Sequence, residues 1–304
     1  MRSFAVFIGL FVVGFAVMAI ATYPLYNLLT PQFDVAFHRV GTRLGMLVLL
    51  IGFLLVARRL ALDDRTSLGY GLPRAAFLRE AALGLALGVA TMSPIAALMF
   101  ALDLRAWSAD FTPTPASIAA LLLQGASSGL AVALIEETFM RGAMHTGIAR
   151  ESGARTAIVL TALLYSATHF IGRMRIAPED VGPWSGVELI RGTLAAFADP
   201  GAIFDAFLCL ALVGALLGMV RQITGNIAAC IGLHAGWVWV ITVLRETSAP
   251  NDAQPWRMLL SQFDGVVGWL VAAWTLVIGL VLHAFYVRRV ASGVGASEQG
   301  RETR

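Results

Sequence analysis

The sequence predicts an all-α fold, a polytopic transmembrane helical bundle of about eight spans. Composition is the first reason: of 304 residues, 58% are hydrophobic and 13% are charged, and the mean hydropathy is +0.76. Soluble domains carry about 25% charged residues. The second reason is that the apolar residues are gathered in runs of about 17–25 residues, the length that crosses a bilayer as a helix.

Eight apolar runs are the predicted spans, and each is bounded by polar or turn-forming residues. They cover residues 4–28, 41–57, 78–101, 116–141, 155–171, 202–221, 226–244 and 264–286, and the fourth continues as a helix to about residue 150. Together they predict one transmembrane domain over residues 1–290. The polar segment 291–304 is expected to be a disordered tail.

The first span also resembles a signal peptide, because Met1-Arg2 precede an apolar run and Ala19-Ile20-Ala21 imitate a cleavage site. We expect an uncleaved span, since the run is longer than a signal-peptide core and further spans follow. Gly214 and Gly218 form a GxxxG pattern in the sixth span, and we interpret it as close helix packing.

Arginines set the expected orientation, since none of the 22 basic residues is lysine. With the N-terminus inside, the inner segments hold Arg2, Arg58, Arg59, Arg65, Arg74, Arg79, Arg150, Arg155, Arg221, Arg288 and Arg289. The outer segments hold Arg39, Arg43, Arg105, Arg173, Arg175, Arg191, Arg245 and Arg257. This bias favours both termini inside. The lysine-free, compact chain indicates a bacterial inner membrane.

Two adjacent acids, Glu136 and Glu137, lie inside the fourth apolar run, with Arg141 one helical turn after Glu137. A carboxylate in hydrocarbon costs several kcal/mol, so an ionisable residue there indicates a functional site. Residues four apart share one face of a helix, which predicts that Glu137 pairs with Arg141.

The fourth and fifth spans predict a hairpin that turns near residues 150–153. Glu136 lies about 16 residues before this turn and His169 about 17 residues after it, so an antiparallel hairpin brings them to nearly the same height. Tyr165 precedes His169 by four residues, and His234 lies in the seventh span. Three helices can thus direct polar groups into one volume.

These residue types predict acid–base chemistry. A carboxylate beside an imidazole can take a proton from water and deliver it to a leaving amine. The second histidine would donate to an oxyanion or bind a metal, since two histidines and a glutamate also suit zinc. A catalytic site and a purely structural polar network both fit these residues, and their combination favours the catalytic site.

At these positions the chain resembles the CPBP family of intramembrane proteases, also called the Abi or type II CAAX-prenyl endopeptidase family. That family carries EExxxR, then FxxxH, then HxxxN or HxxxD, on successive core helices of an eight-span fold. Residues 136–141 match the first motif fully, and 165–169 match the second with Tyr165 in place of Phe. Residues 234–238 match the third only at His234, because Val238 stands where the family has Asn or Asp. The resemblance covers a core of about 115–245.

The resemblance implies hydrolysis of peptide bonds within the membrane. Glu136 would activate water with His169 as its partner, and His234 would bind the oxyanion or a metal. Glu137 and Arg141 would orient the site. The family implies either zinc, held by Glu136, His169 and His234, or a metal-free glutamate mechanism, and the sequence leaves both open. Asn226 lies too far along its helix to replace the amide missing at Val238.

Three functions were compared. An intramembrane endopeptidase acting on membrane-associated or lipidated peptides and protein tails accounts for all five site residues. A catalytically weak or inactive scaffold, or a bacteriocin-immunity-type protein, has only Val238 in its favour. A proton-coupled transporter would predict inverted repeats, which the sequence lacks. The expected partners are membrane lipids and a peptide substrate, with no nucleic acid, and the sequence does not define the oligomeric state.

Overall fold

The computed structural model describes the backbone of residues 1–171 and 174–302; the side chains of residues 193 and 293–302 are outside the description. Nine α-helices lie within these ranges. They are α1 (Arg2–Leu29), α2 (Phe37–Ala57), α3 (Arg74–Ala101), α4 (Pro115–Glu137), α5 (His145–Thr168), α6 (Ser185–Ala195), α7 (Pro200–Thr224), α8 (Ala228–Thr247) and α9 (Trp269–Glu302). A two-stranded ribbon pairs β1 (Arg105–Trp107) with β2 (Ser248–Pro250).

Seven helical stretches of the described residues are long and apolar enough to cross a membrane, and one of them, Pro115–Thr168, contains two spans. The backbone of this stretch breaks at Gly153, where φ is 82° and ψ is 161°. Beyond the break the chain returns, because the Arg141 guanidinium lies 4.5 Å from the ring centre of Tyr165. In one continuous helix these residues would be about 36 Å apart. The structure therefore agrees with the prediction of about eight spans.

The helix between Glu137 and His145 differs from the expected α-helix. Residues Thr138–Met144 form a π-helix, in which the His145 N–H donates to the carbonyl of Met140, five residues earlier. The chain continues as a helix past residue 150, as predicted, and the π-turn is a departure from α geometry within it. A π-turn widens the helix locally and is frequent at functional sites.

The last helix also begins later than predicted. Asp264 accepts hydrogen bonds from the backbone N–H groups of Val266 and Val267, and Gly265 has φ 70°, so residues 264–268 form turns and the helix starts at Trp269. Helix α9 ends at Glu302 and includes most of the segment 291–304. The side chains of that segment lie almost entirely outside the description, and its disorder stays a prediction.

One end of the bundle, which we call the hairpin end, holds Ala61, Arg74, Gly153 and Gly225. Arg150, beside the hairpin turn, donates to the Ala61 carbonyl at 2.6 Å and to Ser67 Oγ at 2.7 Å, which ties the turn to the loop between α2 and α3. Helices α2, α7 and α9 end here, while α3 and α8 begin here. The ribbon lies at the opposite end.

Two arginines that entered the orientation argument have structural roles. Arg105 is 3% exposed, and its guanidinium donates to Ser248 Oγ at 2.9 Å, to the Gly265 carbonyl at 2.6 Å and to the Ser248 carbonyl, so it joins the ribbon to the end of α8. Arg221 is 9% exposed and lies inside the protein. Arg105 was assigned to the outer side of the membrane and Arg221 to the inner side. Leaving both out of the count therefore does not change the excess of arginines on the inner side.

Helices α3 and α8 pack through facing glycines. A Cβ atom on Gly88 would lie 2.5 Å from the carbonyl oxygen of Leu233, and one on Gly232 would lie 2.1 Å from that of Ala81. Backbone atoms cannot move aside as a side chain can, so these positions require glycine. Gly84 and Gly236 repeat the pattern. This contact fixes the height of His234, two residues after Gly232.

Gly232→Ala is expected to lower the free energy of unfolding by about 1–3 kcal/mol, because the added methyl group separates α3 from α8. Thermal unfolding of the purified protein in detergent measures the effect. Gly9→Ala is the matched control, since no atom lies within 4 Å of its Cβ position. Equal melting temperatures for the two variants would contradict the close approach.

Candidate active site

Glu137 lies at the centre of a buried ion pair. Its side chain is fully buried, and its Oε1 accepts from Arg141 Nη1 at 3.0 Å and from His234 Nδ1 at 2.8 Å. Arg141 is also fully buried, and its Nη2 donates to the backbone carbonyl of Gly214 at 3.1 Å. The Glu137–Arg141 pairing predicted from the four-residue spacing is confirmed. The contacts join α4, α7 and α8 at one point.

An aromatic ring covers the arginine on its other side. Tyr165 is 3% exposed, and its ring centre lies 4.5 Å from Arg141 Cζ, a cation–π contact. The same ring lies 4.5 Å from the His169 ring and 6.0 Å from the His234 ring, centre to centre. Tyr165 therefore forms a wall shared by both histidines and by Arg141.

His169 follows the last residue of α5. Its Nδ1 lies 2.8 Å from the backbone carbonyl oxygen of Tyr165, and a carbonyl can only accept, so this nitrogen carries the proton. The neutral ring then presents an unprotonated Nε2. The His169 ring lies against Tyr165, whose ring also contacts Arg141. The hairpin thus brings the acidic pair to the level of His169, as the spacing predicted.

Glu136 differs from its neighbour in having no ion pair with any arginine that the structure describes. Its side chain is 35% exposed, Oε2 lies 4.0 Å from His234 Nε2, and this buried oxygen has no hydrogen-bond partner among the described residues. The two adjacent acids are therefore unequal. Glu137 is held through Oε1 by a cation and an imidazole, while Glu136 lies beside the imidazole alone, and the Oε2 atoms of both acids are unpaired among the described residues.

Helix α7 supports the π-helix through Arg221 and Gly214, for which the sequence predicted no such contact. Arg221 Nε donates to the Arg141 carbonyl at 3.1 Å, and its Nη2 donates to Thr146 Oγ1 at 3.2 Å. Gly214 allows close packing, as predicted, since a Cβ there would lie 2.9 Å from Ala162 Cα. Its carbonyl is in addition an acceptor for Arg141. An arginine within an apolar run is the sequence feature that could have identified Arg221 as part of this network.

The third motif leaves a gap that Asn226 does not fill. Val238 is half-buried and offers no side-chain donor. Asn226 is committed elsewhere, because its Nδ2 donates to the Thr224 carbonyl at 2.9 Å and its Oδ1 accepts from the Ala228 N–H at 2.9 Å. It shapes the turn between α7 and α8, as its distance along the helix from His234 suggested.

The histidines are oriented as metal-binding histidines are, with Nδ1 held by a protein acceptor and Nε2 free. The nitrogen and oxygen atoms that would bind a metal ion do not converge on one point. His234 Nε2 and Glu136 Oε2 are 4.0 Å apart, whereas two ligands of one tetrahedral zinc lie about 3.4 Å apart. Within the described ranges no group of three His, Cys, Asp or Glu side chains is arranged to hold a metal. As arranged, these residues do not form a zinc site, and zinc stays a prediction.

The fold and the site together define a class, an integral membrane protein of helical spans with glutamates, histidines and arginine gathered in its interior. Residues 118–240 match a family model described as type II CAAX prenyl endopeptidase Rce1-like. This segment holds all five predicted site residues, and the match agrees with the resemblance that their motifs carry. No curated protein and no solved structure matches the chain.

Proposed function

We propose that this protein is an intramembrane endopeptidase that hydrolyses membrane-associated or lipidated peptides and protein tails. The observation that carries the proposal is the inequality of the two acids. Glu137 is paired through Oε1 with Arg141 and His234, while Glu136 has no arginine partner among the described residues and lies 4.0 Å from the same histidine. A carboxylate that no cation holds is the better placed of the two to take a proton from water. The family match supports a protease.

In the proposed reaction, Glu136 accepts a proton from a water molecule that the unprotonated Nε2 of His169 helps to orient. The water oxygen bonds to the carbonyl carbon of the peptide, and the resulting oxyanion accepts from the Nε2–H of His234 as an imidazolium, whose Nδ1–H remains on Glu137. Glu136 then delivers the proton to the nitrogen of the leaving amine as the C–N bond breaks. Glu137 and Arg141 act by position, since Glu137 fixes His234 through Nδ1.

Whether the reaction uses a metal ion is tested by the chelator and zinc experiment described below. A bound zinc ion would lower the pKa of water and polarise the peptide carbonyl. The residues that would hold it are Glu136, His169 and His234, and they would have to approach one another.

The location is proposed from composition. The distribution of arginines favours both termini inside a bacterial inner membrane, which would place the hairpin end in the cytoplasm. Lipidated or amphipathic peptides would then reach the site from that leaflet. The scaffold alternative rests on Val238 alone, and the paired glutamates and oriented histidines do not favour it.

The test is cleavage of a library of amphipathic and lipidated peptides by the purified protein in liposomes, with products identified by mass spectrometry. The blank is a preparation carrying Glu136→Gln and His169→Phe together, which controls for contaminating proteases. We expect products from the wild-type protein alone. Loss with a chelator and recovery with zinc would establish the metal mechanism. The same products from the blank would overturn the proposal.

A further inference from the structure

A second polar site lies at the hairpin end of the bundle, away from the glutamates. A cavity of about 400 Å³ opens between the start of α3, the turn between α7 and α8, and residues 286–292 of α9. Its lining includes Arg79, Glu80, Tyr286, Arg289 and Ser292. None of these residues belongs to the site described above.

The charges around this cavity suit an anion. Arg289 pairs with Glu80, and this pair is partly exposed at 37% and 15% of the two side chains. Arg79 is exposed and has no ion-pair partner among the described residues, and Arg288 adds a further positive charge beside the opening. After Glu80 is balanced by Arg289, the positive charge of Arg79 and Arg288 remains.

Backbone donors lie at the same place. Leu72 and Ala76 line the cavity, so it flanks the first turn of α3. Pro73 precedes the helix, and no side chain forms a capping hydrogen bond with the first turn of the helix. The first N–H groups of a helix are unpaired and carry a partial positive charge, so they favour a phosphate oxygen.

The independent sign of a ligand is the hydroxyl of Tyr286. This residue is 1% exposed and lines the cavity, yet its hydroxyl has no hydrogen-bond partner among the described residues. A buried polar group left unpaired costs about 1–3 kcal/mol, so a group supplied from outside the chain would relieve that cost.

An open apolar face of α9 continues from the polar cavity. It is formed by Val281, Ala284 and Phe285, and Arg289 and Ser292 belong to both surfaces. A polar pocket that adjoins the apolar face of a span matches an amphipathic ligand. We propose that this is a binding site for an anionic phospholipid, with the phosphate in the cavity and one acyl chain along α9.

The experiment is native mass spectrometry of the purified full-length chain in detergent, with phosphatidylglycerol and phosphatidylcholine of the same acyl chains. We expect phosphatidylglycerol to be retained preferentially. Arg79→Ala should weaken its retention about tenfold, since one charged hydrogen bond is lost. Arg59→Ala is the matched control, an exposed arginine at the same end of the bundle. Tyr286→Phe, which keeps the ring, should also weaken retention.

Three results would overturn the proposal. Equal retention of the two lipids would show that the cavity does not select an anionic headgroup. Equal retention by Arg79→Ala and Arg59→Ala would show that general surface charge, and not this cavity, binds the lipid. Displacement of the lipid by inorganic phosphate at equal concentration would identify a soluble phosphate as the ligand. Arg79 is exposed and forms no described ion pair, so its substitution leaves the fold intact. The outcome does not depend on proteolysis.

Discussion

Glu136→Gln is expected to reduce peptide cleavage by about 10²–10⁴-fold, the usual contribution of a general base. The amide has the shape of the carboxylate but cannot accept the proton of water. Glu136 pairs with none of the described arginines and is 35% exposed, so the melting temperature should change little. Initial rates in liposomes and thermal unfolding in detergent, measured on one preparation, separate these two effects.

The control for Glu136→Gln is Glu246→Gln, an exposed acid near the end of α8. It should cleave at the wild-type rate. A Glu136→Gln protein that retains more than a tenth of the wild-type rate would remove Glu136 as the base. A large fall in its melting temperature would instead indicate that Glu136 supports the fold.

Arg141→Met is expected to lower the free energy of unfolding by about 3–5 kcal/mol, the cost of breaking a buried ion pair from one side. Glu137 would be left buried with only His234 as partner, and the Gly214 carbonyl would lose its donor. Methionine keeps most of the side-chain volume, so the loss of charge is isolated from the loss of packing. Denaturant unfolding in mixed micelles measures the change.

The double variant Glu137→Gln with Arg141→Met provides the internal check. Removing both charges should recover much of the stability, because no uncompensated carboxylate remains. Cleavage should not recover, since His234 no longer faces a carboxylate that fixes its proton on Nδ1. A double variant that is no more stable than Arg141→Met would show that the pair is not the source of the loss.

Much of the candidate site could be predicted from the linear order of residues. A helix places residues four apart on one face, so the Glu137–Arg141 contact followed from spacing alone, and the structure forms it at 3.0 Å. The hairpin was predictable because helix rise is constant, which set His169 opposite the acidic pair. Glycines spaced four apart at 84 and 88, and at 232 and 236, were a signal for the α3–α8 contact that the sequence analysis did not use.

Other features depend on contacts between helices that are distant in sequence. The π-helix is supported by Arg221, eighty residues beyond Arg141, and no local propensity distinguishes residues 138–144 from an α-helix. The ribbon joins Arg105 to the end of α8 across more than 140 residues. The cavity at the hairpin end exists only because α3, α7 and α9 meet there.

The sequence by itself determined that the chain is a helical membrane protein and which five side chains belong together. The reason is that apolar length and helical periodicity are properties of the chain alone. Only the tertiary structure decided that His234 contacts the paired Glu137 at 2.8 Å and lies 4.0 Å from Glu136. That choice depends on how α4 packs against α8, because a buried charge is stable only beside its partner.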